Sequence, residues 1–252
     1  MPDLVHPSAV GYVLALDLPV AGPSFEAAST VSFSAKPEAV AVGSQLVEFT
    51  DGIAPETRSA IADGVLLAQL AANKAVAQTG DVFRWYDKYV EVLQNIGWQL
   101  REVDFQSQSL SESQAGLHKA LIPVIAAMLG PQAAAASIVL ETLKGLDEME
   151  PDSPWLTVFD KSSRQGQGAK FQVSHVDANA SGEPEVALAC FSIDARQTIT
   201  QVLFFKFTAQ DAQVKKASGK MAISLDRLRA AENVIANRVG PFVADYVAKL
   251  DI

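Results

Sequence analysis

Between Lys119 and Glu141 the chain runs from 120 to 140, 21 positions, without a charged side chain. In length this apolar run would cross a bilayer, whose core needs about 20 apolar residues. Gly130-Pro131 at its middle argues otherwise, since Gly suits the position just past a helix end and Pro the first position of the next. The pattern therefore predicts a hairpin of two short apolar helices. Leu121, Ile122, Ile125, Met128 and Leu129 lie on the first, and Ile138, Val139 and Leu140 on the second. Pro123 should kink the first, because it removes a backbone donor.

Upstream, Pro55 and Glu56 mark the start of a helix to about Ala77, with a stripe of mostly small residues, Ile61, Val65, Ala68 and Ala72. Asp81 caps a second helix, in which Val82, Trp85, Tyr86, Tyr89, Leu93 and Ile96 recur at helical spacing. Gly97 ends it, and Trp98 is placed to pack back on Leu93. These two form a first helical hairpin. Residues 101–108 lose their period, and Ser109 with Glu112, or Ser111 with Gln114, offers a capping box for the third helix. The fourth follows Pro131 and closes at Lys144-Gly145. A short helix then carries Trp155 and Phe159, with Gly166 near its release.

From residue 169 the period becomes that of strands: 169–178, a turn at 179–182, 185–194, 199–208 and 220–225. Two of them are apolar on both sides. Val186, Leu188 and Cys190 oppose Ala187, Ala189, Phe191 and Ile193, while Val202 and Phe204 oppose Leu203, Phe205 and Phe207. Strands apolar on both faces are covered on both faces. The expected fold is thus α/β in composition, of the α+β kind: a single domain with a central, mostly antiparallel sheet wrapped by two layers of helical hairpins. Helices at 226–237 and from Gly240-Pro241 to about Leu250 close the chain. Residues 1–50 carry few charges, several prolines and β-branched runs at 10–20, 30–34 and 40–49, which suggests an extended arm or edge strand. Residues 51–252 form the domain proper.

Composition narrows the function more by exclusion. Residues 1–150 hold 8 Lys plus Arg against 18 Asp plus Glu, a balance of −10, and residues 151–252 hold 12 against 11, or +1. The sum of −9, with no basic cluster longer than Lys215-Lys216, speaks against a nucleic-acid partner. A single cysteine, Cys190, rules out an intramolecular disulfide. No Lys or Arg precedes Lys36, so the charged start of a signal peptide is missing, and a protein kept soluble in its producing cell is expected unless another route releases it. The acidic run at 146–152 lacks the ligand spacing of a calcium loop and reads as a solvated linker.

The histidines are His6, His118 and His175. Cys190 with His175 is the one dyad to test. A hairpin turn centred on 179–182 pairs Cys190 with Phe171 and His175 with Val186, four positions apart on one face. At about 3.3 Å per residue that is roughly 13 Å, beyond hydrogen-bond reach. Cys190 is better read as a buried thiol. Trp85, Tyr86 and Tyr89 could stack on a sugar or choline group, but a helical aromatic stripe is more often core. Phosphate-binding, dinucleotide, metalloprotease and serine-hydrolase motifs are missing from the sequence. No enzyme, cofactor or metal is indicated.

The runs WLTVFDKSSRQ, KFQVSHV, VALACFSID, QVLFFKFTAQDAQV and GKMAISL, in this order and spacing over residues 153–225, resemble the Cyt-type cytolytic δ-endotoxins and the related fungal cytolysins. Weaker similarity extends back through VLLAQLAANKAV and the apolar hairpin. The resemblance implies a non-enzymatic, membrane-active bacterial toxin or virulence factor whose partner is the lipid membrane of a target cell. Its helical layers would swing away, and its long strands, with Val186, Leu188, Cys190, Phe191, Ile193, Val202, Leu203, Phe204, Phe205 and Phe207, would insert or self-associate there. It also implies that residues 1–50 are a removable arm. The alternative within the same fold is a non-lytic protein that holds a lipid or other apolar ligand between sheet and helices.

Overall fold

A computed structural model of the chain describes residues 8–21, 31–77, 81–110, 116–150, 152–165, 167–208 and 210–250, with the backbone alone at 102–110. Pro23, Thr30, Ser111, Glu112, Gln114, Gly166 and His6 lie outside the described residues, and with them the capping boxes expected near 110. In chain order the helices are α1 (Ala9–Ala15), α2 (Pro55–Val76), α3 (Val82–Asn95), α4 (Leu117–Leu129), α5 (Pro131–Ala136), α6 (Ile138–Gly145), α7 (Pro154–Ser163), α8 (Leu225–Val239) and α9 (Val243–Tyr246). The strands are β1 (Glu38–Val42), β2 (Gln45–Phe49), β3 (Trp98–Leu110), β4 (Arg164–Gln165), β5 (Gly168–Ala178), β6 (Pro184–Ala195), β7 (Ala212–Ile223) and β8 (Val247–Lys249).

Among the described residues these strands build one eight-stranded sheet in the order β3-β7-β6-β5-β2-β1-β8, with β4 beside β5. β2 runs parallel to β5, and the other pairs are antiparallel. Both faces are covered, as the two-sided apolar pattern of β6 requires. Val40, Val42, Val47, Val186 and Leu188 pack with α1, α2, α3 and α8. Ala39, Ala41, Leu46, Val173, Phe191 and Ile193 pack with α4, α6 and α7. The molecule is therefore an α+β domain whose sheet lies between two helical layers.

The layers differ in depth. α2 starts at Pro55 with Glu56 in its first turn and Lys74 in its last, and most of its 22 residues are buried. Gln69 fixes it to the sheet: its Nε2 donates to the Val42 carbonyl and its Oε1 accepts from the Ser44 backbone and hydroxyl. α3 and α8 then cover it from outside. Asp81 caps α3 as expected, accepting from the backbone of Phe83 and Arg84. The layer formed by α4, α5 and α6 is one helix deep, and α5 has no buried residue.

Several expectations are corrected. The segment 199–208 is not a strand; Val202, Leu203 and Phe204 form a turn, Phe205 lies in the irregular chain that follows, and Phe207 makes only an isolated bridge. Its apolar side chains still fill the core, with Val202, Leu203, Phe205 and Phe207 buried. The backbone finds partners outside the ladder: Val202 donates to Asp160 on α7, and the Leu203 carbonyl accepts from His118 on α4. The edge of β6 that 199–208 would have occupied is taken by β7, which starts at Ala212. The β5–β6 register is one residue off the expected one. Asn179 Oδ1 accepts from both Ser181 and Glu183, and with Gly182 at φ +79° this makes a longer turn. Cys190 thus faces Gln172, and His175 faces Ala187. The third helix starts at Leu117, and the fourth is split at Ser137 into α5 and α6. Trp98 opens β3, with its side chain buried in the same core cluster as Leu93 of α3. Residues 38–49 are a hairpin inside the sheet and not part of an arm, and residues 9–15 are helical.

Candidate functional site

On the face covered by α4–α6, Leu121, Ile125, Val139 and Leu140 are buried against Phe171, Phe191, Ile193 and the apolar loop at 202–207. Ile122, Met128, Leu129 and Ile138 are half-buried, while Pro123, Ala127, Pro131, Gln132, Ala135 and Ala136 are exposed. The outer surface of this cover is thus uncharged from residue 120 to 140 as well as its inner one. Among the described residues no helix is long and apolar enough to cross a membrane.

Polar ties hold the cover at its two ends. Glu48, 3% exposed on β2, accepts from Ser137 Oγ at 2.7 Å and the Ile138 backbone at 2.6 Å, and lies 3.3 Å from His175 Nδ1 on β5. It anchors the start of α6, where the helix N-terminus favours a negative charge. At the start of α4, the Leu203 carbonyl accepts from the His118 backbone at 2.8 Å and lies 2.9 Å from His118 Nδ1. His118 Nε2 is 3.3 Å from Asp147 Oδ1, and Lys119 Nζ is 2.5 Å from Asp147 Oδ2. The hydrogen bond from Lys119, with the charges of Lys119, His118 and Lys206, holds the Asp147 carboxyl below its usual range. Asp147 is therefore engaged with α4 and is not simply part of a solvated linker.

The opposite face holds a cavity of 480 Å³ between α3 and β6–β7. Tyr86 and Val90 line it from α3, Leu188 and Cys190 from β6, and Ala217, Gly219 and Met221 from β7. It exists because β7 presents Ala217 and Gly219 opposite Cys190 and Leu188, where larger side chains would fill the space. Phe83, 73% exposed, stands at the mouth with Lys215 Nζ 5.9 Å from its ring centre. Inside, Tyr86 Oη sits 3.0 Å from the Phe191 carbonyl and accepts from Gln172 Nε2.

The residues singled out in the sequence fall on both faces. Val186, Leu188 and Cys190 point to the cavity side and Phe191 and Ile193 to the cover side. Cys190 and His175 are on opposite faces of the sheet, which removes the dyad for a reason different from the expected displacement along one face. Burial pushes the Cys190 thiol up to about 12, so it remains protonated and a poor nucleophile. Its residual surface belongs to the cavity it lines. Trp85 and Tyr89 are fully buried and stacked on each other, as core. Among the described residues no cluster of His, Cys, Asp or Glu could hold a metal. Glu48, Ser137, Asp147 and Lys215 were missed. Only Glu48 left a trace in the pattern, as a lone acid in the apolar run at 40–49, where a charge has to be paired.

No protein-family model matches the sequence, and no curated protein matches it. Among solved structures the chain is similar to a δ-endotoxin at 15% identity, with 83% of this chain and 91% of that one covered and a TM-score of 0.37. It is similar to the activated Cyt2Ba monomer from Bacillus thuringiensis subsp. israelensis at 14% identity, covering 63% and 94%, with a TM-score of 0.32. The Evf virulence factor is similar at 12% identity, covering 85% of each chain, with a TM-score of 0.30.

Proposed function

We propose that this protein is a membrane-active, Cyt-like cytolysin or virulence factor that binds lipid bilayers and permeabilises them when its α4–α6 layer leaves the sheet. The observation that carries this reading is the stretch 120–140 of the cover, uncharged on the side that faces solvent as well as on the side that faces the sheet, with Lys119, Glu141 and Lys144 only at its ends. A stretch of 21 positions without a charge on a water-exposed element is suited to contact with an apolar phase. Beneath it β5, β6 and β7 have 11, 12 and 12 residues, enough for the roughly 9 to 11 of a tilted membrane strand. β5 and β6 supply the apolar material. β7 brings Lys215, Lys216 and Lys220, which in a bilayer would face water or a second copy of the chain. The reading is non-enzymatic: the protein acts by where its surfaces go. Dye release from liposomes of varied composition, before and after limited proteolysis of residues preceding β1, tests it. Leakage with co-sedimentation is expected; neither leakage nor co-sedimentation from any composition would sink it.

The cavity under α3 favours a second reading, a non-lytic protein of the same fold that holds a lipid or other apolar ligand between sheet and helices. Its walls are largely apolar and its mouth carries Lys215 and Phe83. The ligand would be held without a covalent bond, since Cys190 stays a thiol. Native mass spectrometry of the purified protein should then show a retained mass that is lost on denaturation, and a ligand-free native mass overturns this version.

A further inference from the structure

On the cover side of the sheet a groove of 840 Å³ lies between the α4–α5 turn and the ends of β2 and β5. These two strands run parallel with Glu48 level with His175, so their C-terminal ends bring Glu48, Asp51 and Asp177 to one wall. Leu129, Pro131, Ala133 and Ala136 form the other. The first wall is acidic and the second uncharged, and no lysine, arginine or aromatic side chain lines the groove. Its acceptors are underused. Glu48 accepts only from neutral donors, the Ser137 hydroxyl and the Ile138 backbone, although a carboxylate has room for about four hydrogen bonds. Asp177 Oδ1 accepts from Thr50 Oγ1 and the Ala178 backbone, and among the described residues no cation pairs with Asp177 or Asp51. His175, 8% exposed, lines the same groove, and its Nδ1 is buried with no hydrogen-bond partner although Glu48 Oε2 lies 3.3 Å away. A buried polar atom without a partner is rare enough to call for one.

We infer that this groove binds a primary ammonium group carried on a short carbon chain, with Glu48, Asp51 and Asp177 taking its N–H donors and Leu129, Pro131 and Ala133 covering its methylenes. The charge selects the sign of the ligand, because three carboxylates without a cation concentrate cations and repel anions. Among the described residues no cluster of His, Cys, Asp or Glu could hold a metal, which leaves an organic cation. The lining selects its kind. A primary ammonium offers three N–H donors to separate acceptors, whereas a quaternary ammonium has none and is held by aromatic faces, which this groove lacks. An apolar wall opposite a few convergent polar groups is the usual make-up of a small-molecule site. Free alkylamines and the ethanolamine head group of a phospholipid share this chemistry. Asp51, Pro131 and Asp177 are exposed at the mouth, so the groove is open to either source. The site holds whether or not the cover leaves the sheet.

Amide chemical shifts of the full-length protein are followed while ethanolamine is added at constant pH, with choline and sodium chloride as controls at matched ionic strength. Ethanolamine should move the amides at 48–51, 132–136 and 175–178 to saturation. Choline should bind about tenfold more weakly, the loss of one charge-assisted hydrogen bond. Asp51→Asn combined with Asp177→Asn changes two exposed carboxylates and leaves Glu48 to hold α6, so the fold should survive, as unshifted amides elsewhere would show. This double variant should bind ethanolamine about tenfold more weakly. No saturable shift at the groove, choline bound as tightly as ethanolamine, or unchanged affinity in the double variant overturns the site. Co-sedimentation with vesicles of phosphatidylcholine, with and without added phosphatidylethanolamine, separates the two sources. A gain from phosphatidylethanolamine that the double variant loses assigns the groove to a lipid head group; ethanolamine binding without such a gain assigns it to a free amine. Sedimentation with neither vesicle would count against the membrane reading and leave the amine site in place.

Discussion

Lys170 shows at the scale of one residue what the sequence pattern hides. It lies on β5, 4% exposed, with Nζ 4.5 Å from the centre of the Trp85 ring and 3.5 Å from Asn73 Oδ1. Among the described residues no carboxylate pairs with it, and burial lowers its pKa to about 8. The unfolded chain keeps a lysine near its ordinary value of about 10.4 and binds more protons between the two values, so stability rises with pH over that window. Below it the full cost of the buried charge stands. Lys170→Met should therefore stabilise the protein by about 1–2 kcal/mol near pH 7, part of the charge cost being offset by the Trp85 face, with a smaller gain near pH 10. Urea unfolding at the two pH values measures this, and destabilisation at both would mean that the cation–π contact outweighs burial. In the sequence a lysine inside an alternating strand reads as facing solvent. What puts it indoors is α3 crossing above, which no local pattern records.

At the scale of elements, helices were legible because their ends are written in the chain: Pro55 and Glu56 for α2, Asp81 and Gly97 for α3. Strands were legible only where apolar. β3, at the sheet edge, escaped because it carries polar side chains through most of its length, and of β7 only the end from 220 was read as a strand, its earlier part being broken by Lys215, Lys216 and Ser218. Edge strands are commonly polar, which protects them from pairing with other chains. The loop at 202–207 made the opposite error, since a buried loop is as apolar as a buried strand and only its hydrogen-bond partners tell them apart. One contact between elements yields a prediction. Asp63 of α2 faces Glu232 of α8, and burial, then that neighbouring charge, raise its pKa to about 6. The folded state holds its proton more tightly than the unfolded state, so stability falls as pH rises from about 4 to 6, and the whole penalty remains above that. Asp63→Asn should raise stability by about 1–2 kcal/mol near pH 7 and leave it unchanged below about pH 4. Thermal melts at both pH values check it; an equal gain at each would assign the effect to something other than this carboxylate.

For the molecule as a whole, the proposed membrane-active reading turns on which of the two covers would let go. α2 is sealed between the sheet and an outer shell of α3 and α8, and removing it would expose the side chains of all three surfaces together. α1 reinforces that side: Tyr12 hydrogen-bonds to Glu91 on α3, and Arg238 on α8 donates to the Leu16 carbonyl. The α4–α6 layer is one helix deep, is held by polar ties at His118 and Glu48, and already presents uncharged residues outward from 120 to 140. On that reading its separation would cost less in water and would be repaid at a lipid surface, where each apolar side chain that moves from water to hydrocarbon gains about 1.5–3 kcal/mol when large. The two sides should therefore respond differently to a lock. An engineered disulfide between α4 and the loop at 202–207 should abolish dye release from liposomes until it is reduced, whereas one between α2 and β1 should leave release unchanged. If the α2 lock alone blocks leakage, the deep layer is the one that opens; if neither does, the sheet is never uncovered and the protein acts on membranes through the outer surface of α4 and α5.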